Sequence, residues 1–150
     1  IEGGIKTNVV PSSCSFTVGH RVQPDYNGNQ LEKRFSDMIN SVELPPNVSV
    51  SIETVLRAEP YLSNPDDQHV QIVKDNAEMI SGREFDLIGV RGFSDGRFFS
   101  QAGAETLNFG PGDDKTNVHG VDENISLKQV TKAGTAVASS IVDLSREYYR

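Results

Sequence analysis

The chain has 150 residues, of which 36% are hydrophobic and 23% charged, and its formal net charge is −7. A chain of this length and apolar content can bury a core, either in one domain or in two small lobes. The acidic balance argues against nucleic-acid and anionic-lipid partners, because both need clustered basic side chains. No apolar run approaches the roughly 18 residues of a membrane span, so we expect no membrane partner and a cytoplasmic protein.

The first residues, IEGGIKTNVVP, lack a methionine and place a Gly-Gly turn directly after two residues of apparent strand. We therefore expect the chain to be a piece of a longer protein. Its one cysteine, Cys14, cannot form an intramolecular disulfide, which is typical of an intracellular protein. Cys14 lies in an alternating apolar pattern, and we interpret it as a structural thiol.

The first segment, residues 1–58, has the pattern strand, helix, strand. Apolar and polar residues alternate over 14–22, as in a half-buried strand. Apolar side chains recur at helical spacing over 30–42, and the prolines of LPPN cannot continue that helix. Alternation returns at 48–58 and predicts a second strand. The segment is typical of half of a small α+β lobe.

After the linker EPYLSNP the pattern changes to helices that alternate with short apolar runs. The predicted elements are a helix over 66–82 closed by Gly82, a strand over 85–90, a short helix over 94–103 closed by Gly103, a strand over 104–109 and a long helix over 126–149. Ser126 and Gln129 match a capping box. This order predicts a parallel sheet covered by helices, in which ligands bind beyond the carboxyl ends of the strands.

A polar loop with one histidine, His119, follows the last predicted strand and so lies where that rule puts a site. Taken alone, His119 is either an ordinary loop histidine or a metal ligand, and no HxxxH, HExxH or CxxC pair accompanies it. Asp122 and Glu123 are possible ligands, but their acidic charge equally suits the start of the final helix.

Two other features have both a structural and a functional interpretation. Arg21 ends the alternating pattern at 14–22 and is either a surface arginine or a carboxylate-binding guanidinium on a rigid strand. The stretch RGFSDGRFF, with Gly92 and Gly96, is either turn chemistry with Asp95 near a helix start or a backbone approach to an anion. It contains neither a GxSxG elbow nor a P-loop.

Three stretches, GGIKTNVVPSSCSFTVGHRVQP, GFSDGRFFSQAGAETLNFGPG and VHGVDENISL, together resemble the second half of the di-zinc amidohydrolases. That family includes succinyl-diaminopimelate desuccinylase, acetylornithine deacetylase, aminoacylase and the glutamate carboxypeptidases. The resemblance extends over the whole chain. It implies an α/β fold in which residues 1–58 are part of a ferredoxin-like lid used for dimerisation, and residues 59–150 are the last part of an αβα-sandwich catalytic domain.

The resemblance also implies roles for five residues. The histidine after FGPG ligates zinc in the family, which corresponds to His119. By the same correspondence Arg21 holds the substrate carboxylate, Asn8 makes polar contacts, and Gly92 and Phe93 line the substrate pocket. The intact enzyme would bind two zinc ions per subunit, with cobalt as an alternative metal. Its partners would be a small N-acyl amino acid substrate and a second copy bound through the lid.

The form SDGRF resembles the desuccinylases most, which indicates a zinc hydrolase of amino-acid biosynthesis that cleaves the amide bond of an N-acyl amino acid. His20 and Phe93 depart from the residues usual in the family, so the acyl group stays open. The family's other zinc ligands and its glutamate general base precede this segment, and we expect the chain alone to be inactive. The alternatives are a metallo-carboxypeptidase or dipeptidase of the same family, or a non-enzymatic dimerisation or binding module.

Overall fold

A computed structural model describes residues 1–112 and 118–149, and the chain divides into two compact units, Ile1–Arg57 and Ala58–Arg150. Unit 1 contains β1 (Glu2–Gly3), β2 (Cys14–Ser15) and α1 (Gly28–Asn40), and unit 2 contains α2 (Gln68–Ser81), α3 (Gly96–Gln101) and α4 (Leu127–Tyr148). The assignment of residues 1–58 to a lid and of 59–150 to a catalytic domain stays a prediction. None of the helices in the described ranges is long and apolar enough to cross a membrane.

The sheet of unit 1 is a short antiparallel pair. Glu2 lies opposite Ser15 and Gly3 opposite Cys14, so β1 and β2 close a loop between them. The strand predicted over 14–22 is thus confirmed only at its first two residues. Residues 16–21 are exposed, and residues 16–22 have no strand partner among the described residues, because alternation specifies a face while a strand also needs a neighbour.

Helix α1 begins with a capping box that the sequence analysis did not identify. The Asn27 side chain accepts a hydrogen bond from the Gln30 N–H at 3.0 Å, and the Gln30 side chain accepts one from the Asn27 N–H at 3.0 Å. After the helix, the Val48 N–H donates to the Pro45 carbonyl at 3.1 Å, and Asn47 has a φ of 72°. A positive φ at the third residue of a turn is what a type II turn requires.

The second strand predicted in unit 1, over 48–58, is wrong. No strand occurs there, and the segment is held to α1 by side chains instead of by a sheet neighbour. Thr54 donates to Glu32 at 2.9 Å, and Arg57 donates to Asn29 at 2.8 Å. The alternating residues therefore lie beside a helix, where backbone pairing is not available.

Unit 2 is built on the packing of α2 against α4. Its buried apolar residues are Val70 and Ala77 of α2 and Ala136 of α4, each no more than 4% exposed. Ser140 is buried within α4 and donates to the Ala136 carbonyl, while Lys132 donates to the Ser81 carbonyl at the end of α2, at 2.8 Å. The pair of α2 and α4 is therefore the packed scaffold of unit 2.

Glycines end α2 and α3 as predicted. Gly82 has a φ of 71° and donates its N–H to the Glu78 carbonyl. Beyond α3, Gly103 has a φ of 87° and donates to Ser100, while the N–H of Ala104 donates to Phe99. These are the two bonds of a Schellman motif. The predicted capping box at Ser126 is wrong, because its side chain makes no cap hydrogen bond, although α4 does begin one residue later.

The parallel sheet predicted for unit 2 is absent from the described residues. Residues 85–90 and 104–109 are not strands, and Ile88 and Val90 are 78% and 62% exposed. The predicted helices on either side of them are all present. A helix satisfies its backbone within one segment, whereas these apolar runs have no neighbouring strand in the described part of unit 2 with which to pair.

Candidate functional site

A glycine turn, residues 92–96, leads into α3 and is held by a chain of three polar side chains. The Ser94 hydroxyl accepts a hydrogen bond from the Gly96 N–H at 3.1 Å and donates to the side-chain amide oxygen (Oδ1) of Asn108 at 2.8 Å. The Asn108 amide nitrogen then donates to the Tyr61 hydroxyl at 2.9 Å. The turn is therefore fixed to the end of the 104–109 segment.

Arg97 holds the same turn from its other side. Its guanidinium lies 4.0 Å from the ring centroid of Phe93 and 4.1 Å from that of Phe98. It also donates to the Ser94 carbonyl at 2.7 Å and to the Asp95 carboxylate at 3.3 Å. Only 14% of the Arg97 side chain is exposed, so this arginine folds back onto the chain that precedes it.

These contacts distinguish between the two interpretations of the stretch RGFSDGRFF, turn chemistry and a backbone approach to an anion. Asp95 makes no side-chain cap bond at the start of α3, and Ser94 accepts the Gly96 N–H instead. The N–H of Phe98 donates to the Asp95 carbonyl at 3.0 Å. The structure thus supports turn chemistry here, with a serine in the capping role that the sequence analysis gave to the aspartate.

The segment 61–64 runs beside 104–108 and completes the arrangement. The Ser63 hydroxyl donates to the Thr106 carbonyl, and the Asn64 N–H donates to the Glu105 carboxylate at 2.9 Å. As a result, the glycine turn and the segment that leads to Phe109 and the Gly-Pro-Gly loop are parts of one hydrogen-bonded group. The predicted pocket residues Gly92 and Phe93 belong to this group through their neighbour Ser94.

His119 lies in a turn with left-handed backbone. Its φ is 62°, as is that of Asp122, and its N–H donates to the Glu123 carboxylate at 3.3 Å. The Asn124 side chain donates to the Asp122 carbonyl at 2.9 Å. Left-handed backbone outside glycine is uncommon and tends to occur at functional positions, and the His119 side chain is exposed and accessible to a ligand.

The acidic neighbours of His119 do not lie in the first turn of the final helix. Helix α4 begins at Leu127, and its first turn holds no acidic residue. Glu123 bonds to the backbone of His119 instead. Over residues 1–112 and 118–149, no group of three or more His, Cys, Asp or Glu side chains lies close enough to hold a metal ion. Part of the polar loop, residues 113–117, lies outside the described residues.

The other two predicted site residues belong to unit 1. Asn8 is exposed in a turn between β1 and β2, where the Val9 N–H donates to the Lys6 carbonyl at 3.2 Å. Arg21 is exposed and follows β2 outside any strand, so the rigid strand expected for its guanidinium is not formed. The ring of the preceding His20 packs edge-on against Phe35, 6.2 Å between centroids.

Three residues of this group, Tyr61, Asn108 and Arg97, were not predicted from the sequence. Tyr61 lies in what reads as a linker, and Asn108 lies among apolar residues of a predicted strand. One signal was available, since a polar side chain inside an apolar run has to find a hydrogen-bond partner when it is covered. The identity of the partners, which come from three separate stretches, cannot be obtained from spacing.

The chain is similar to known proteins over most of its length. The model of peptidase family M20/M25/M40 matches residues 2–143. The chain belongs to this family. Membership implies an α/β peptidase fold, of which the described residues form the helices and the short β1–β2 pair. No solved structure matches the chain significantly.

The proteins similar to this chain include several bacterial proteins named succinyl-diaminopimelate desuccinylase. The protein of Hydrogenovibrio crunogenus is 25% identical over 138 residues, which are 92% of this chain and 35% of that protein. Those of Marinobacter nauticus and Acidovorax ebreus are 24% and 27% identical, and the matches extend over 96% and 87% of this chain but only 36% and 32% of theirs. The chain thus spans about a third of the length of these relatives.

Proposed function

We propose that the chain is part of a zinc-dependent amidohydrolase that cleaves the amide bond of an N-acyl amino acid, with N-succinyl-diaminopimelate as the first substrate to test. The observation that supports this proposal is the family match over residues 2–143, together with relatives named desuccinylases. The acyl-binding and metal-binding residues would be those that resemble the family's motifs. The enzyme would be cytoplasmic and would form a homodimer through the unit that contains α1.

His119 would supply one imidazole ligand to zinc. Its exposed side chain suits that role, and its backbone is fixed by the Glu123 carboxylate 3.3 Å from the His119 N–H. Zinc, when bound, supplies Lewis-acid activation of water and of the scissile carbonyl. A complete site needs three or four ligands, so the remaining ligands and the glutamate base would come from the two thirds of the relatives' length that this chain does not cover.

The substrate would be held by the residues that resemble the family's substrate-binding motifs. Arg21 would bind the substrate carboxylate through parallel N–H bonds, which requires a partner or substrate to order its exposed side chain. Asn8 would contribute polar contacts. Gly92 and Phe93 would line the acyl pocket, and the half-exposed Phe93 ring offers an apolar face to the acyl chain. By itself, the chain would be inactive.

A second candidate is a metallo-carboxypeptidase or dipeptidase, and the description of the family as peptidases favours it. Both candidates cleave an amide bond beside a carboxylate, and they differ in whether the group removed is an acyl chain or an amino acid. A substrate panel of N-succinyl, N-acetyl and dipeptide compounds distinguishes them. The binding-module alternative predicts no hydrolysis of any of these.

The decisive experiment uses the complete gene product and measures its intact mass, its zinc content by elemental analysis and its hydrolysis of the substrate panel. We expect about two zinc ions per subunit and hydrolysis of N-succinyl-diaminopimelate. His119→Ala should lower both zinc content and hydrolysis. His69→Ala is the matched control, because His69 is an exposed histidine of unit 2 that contacts Asp67. A product of this chain's mass without metal or hydrolysis would overturn the proposal.

A further inference from the structure

Arg97 directly follows the glycine turn, and the family resemblance gave it no role in the site. Its guanidinium lies between two phenyl rings, those of Phe93 and Phe98, 4.0 and 4.1 Å from their centroids. Guanidinium groups stack on aromatic faces and keep their charge even when partly covered. Arg97 thereby covers one face of the Phe93 ring while 52% of Phe93 stays exposed.

Arg97 also makes hydrogen bonds, which fix the orientation of its guanidinium. The same Nη1 that reaches the Ser94 carbonyl at 2.7 Å lies 3.3 Å from the Asp95 carboxylate. Asp95 itself is 84% exposed, so this ion pair is solvent-screened, and the short bond to the Ser94 carbonyl is the more specific contact. Arg97 thus fixes both the backbone of the turn and the ring that precedes Ser94.

The opposite side of the turn is closed as well. The Gly96 Cα faces Tyr61 and Thr106 so closely that a Cβ there would lie 2.6 Å from the Tyr61 hydroxyl oxygen. Ser94 is bonded to Asn108 at 2.8 Å. Tyr61, Asn108 and Arg97 thus hold the turn, and its large apolar side chain, Phe93, is 52% exposed.

We propose that Arg97 is a positioning residue, which holds the Phe93 ring and the Ser94 carbonyl so that the glycine turn presents a preformed apolar surface to the acyl group of the substrate. This inference rests on the proposed function for the identity of the ligand. Arg97 acts through Phe93 and Ser94 and does not touch the reacting atoms. Preformed binding surfaces raise affinity because less ordering is required when the ligand binds.

The test uses the complete gene product with Arg97→Met, which keeps the length of the side chain but removes its charge and donors, and Arg97→Lys, which keeps the charge but not the planar group. Arg83→Met is the matched control, because Arg83 also lies over a phenylalanine of unit 2, Phe85, but at a looser 5.9 Å. Two quantities are measured: amide hydrogen exchange over residues 92–98, and KM and kcat for N-succinyl-diaminopimelate.

We expect Arg97→Met to speed amide exchange over 92–98 and to raise KM about tenfold with a smaller change in kcat, since lost positioning weakens binding of ground and transition states alike. Arg97→Lys should fall between wild type and Arg97→Met, and Arg83→Met should match wild type. Unchanged exchange over 92–98 in Arg97→Met would overturn the proposal, as would unchanged KM in an active enzyme.

If Arg97→Met does not fold, the comparison of Arg97→Lys with Arg83→Met decides in the same way. The exchange measurement also separates the two proposals. A complete protein that hydrolyses none of the substrate panel but exchanges faster over 92–98 in Arg97→Met would sink the proposed function and leave the positioning role of Arg97 in place. Hydrolysis with unchanged exchange would do the reverse.

Discussion

Asn76 of α2 donates a hydrogen bond to the Asp143 carboxylate of α4 at 3.0 Å, and it is a polar side chain at the buried helix contact. The same amide nitrogen lies 3.0 Å from the Ile72 carbonyl one turn earlier. Asn76 is 5% exposed, whereas 42% of the Asp143 side chain is exposed. The bond fixes the register of the two helices that form the scaffold of unit 2.

We expect Asn76→Ala to lower the free energy of unfolding by about 2 kcal/mol, because it removes a hydrogen bond to a charged group and leaves a small cavity between the helices. Urea denaturation followed by circular dichroism measures this change. Asp75→Ala, at the exposed neighbouring position of α2, is the control and should change the unfolding midpoint little. Equal effects of the two substitutions would contradict the structural role of Asn76.

Glu78 gives unit 2 a pH-dependent contribution to stability. The Phe85 N–H donates to its carboxylate at 2.9 Å, and with the nearby Lys74 ammonium this lowers the pKa of Glu78 below its ordinary value of 4.5. Burial acts in the opposite direction and is outweighed. Because the pKa is lower in the folded state than in the unfolded state, Glu78 stabilises the fold above pH 4.5 and this stabilisation is lost as the pH falls through the folded-state pKa.

We therefore expect Glu78→Gln to be less stable than wild type at pH 7, with a difference that shrinks as the pH falls below 4.5. Urea midpoints measured at intervals between neutral and acidic pH test this. Lys74→Met should weaken the pH dependence without abolishing it, since the Phe85 bond is the larger cause. A wild-type advantage over Glu78→Gln that stays constant at all pH values would show that the assigned charge effect is absent.

The helices of the described residues could be predicted from the sequence, whereas most of the predicted strands do not form. Apolar spacing and the glycines that follow α2 and α3 predicted the four helices found in residues 1–112 and 118–149, because a helix depends on residues three or four apart. The same kind of local pattern at 85–90 predicts an apolar surface but not its partner. Strand pairing depends on residues that are far apart in the sequence. In the described residues, only Glu2–Gly3 and Cys14–Ser15 form a strand pair.

Helix capping could not be predicted from residue types alone. Ser126 and Gln129 match the capping-box pattern but Ser126 forms no cap bond, whereas Asn27 and Gln30 form both bonds of the box. The residue types permit the motif in each case, and only side-chain rotamers decide between them. Similarly, the motif around Gly92 could be found by resemblance, but the Ser94–Asn108–Tyr61 chain joins three stretches that no local pattern relates.

Two glycines of unit 2 should respond in opposite directions to the same substitution. Gly82 has a φ of 71°, where a Cβ is strained, so Gly82→Ala should destabilise the chain by about 1 kcal/mol. Gly134 lies in the middle of α4 with no atom within 4 Å of an added Cβ, so Gly134→Ala should stabilise by about 0.5 to 1 kcal/mol. Thermal melting of the two variants provides the comparison, and a shift of the same sign in both would refute this account.

Gly96 tests how tightly the glycine turn is enclosed. An alanine Cβ would lie 2.6 Å from the Tyr61 hydroxyl oxygen and 2.9 Å from the Thr106 Cγ2, distances at which neighbours must move. We expect Gly96→Ala to cost about 1 to 3 kcal/mol of stability despite the better helix propensity of alanine. Gly89→Ala, where nothing lies within 4 Å of the added Cβ, is the control.

The origin of that cost can be separated with Tyr61→Phe. Removing the hydroxyl relieves the shortest contact with an alanine at position 96, but it also removes the acceptor of the Asn108 bond, 2.9 Å long. The double variant should therefore be more stable than the sum of the two single effects predicts, by about 0.5 to 3 kcal/mol of coupling free energy. Urea denaturation of the four proteins closes the cycle. Strictly additive effects would mean that Tyr61 does not enclose Gly96, and the rigidity assigned to the turn would lose its main support on that side.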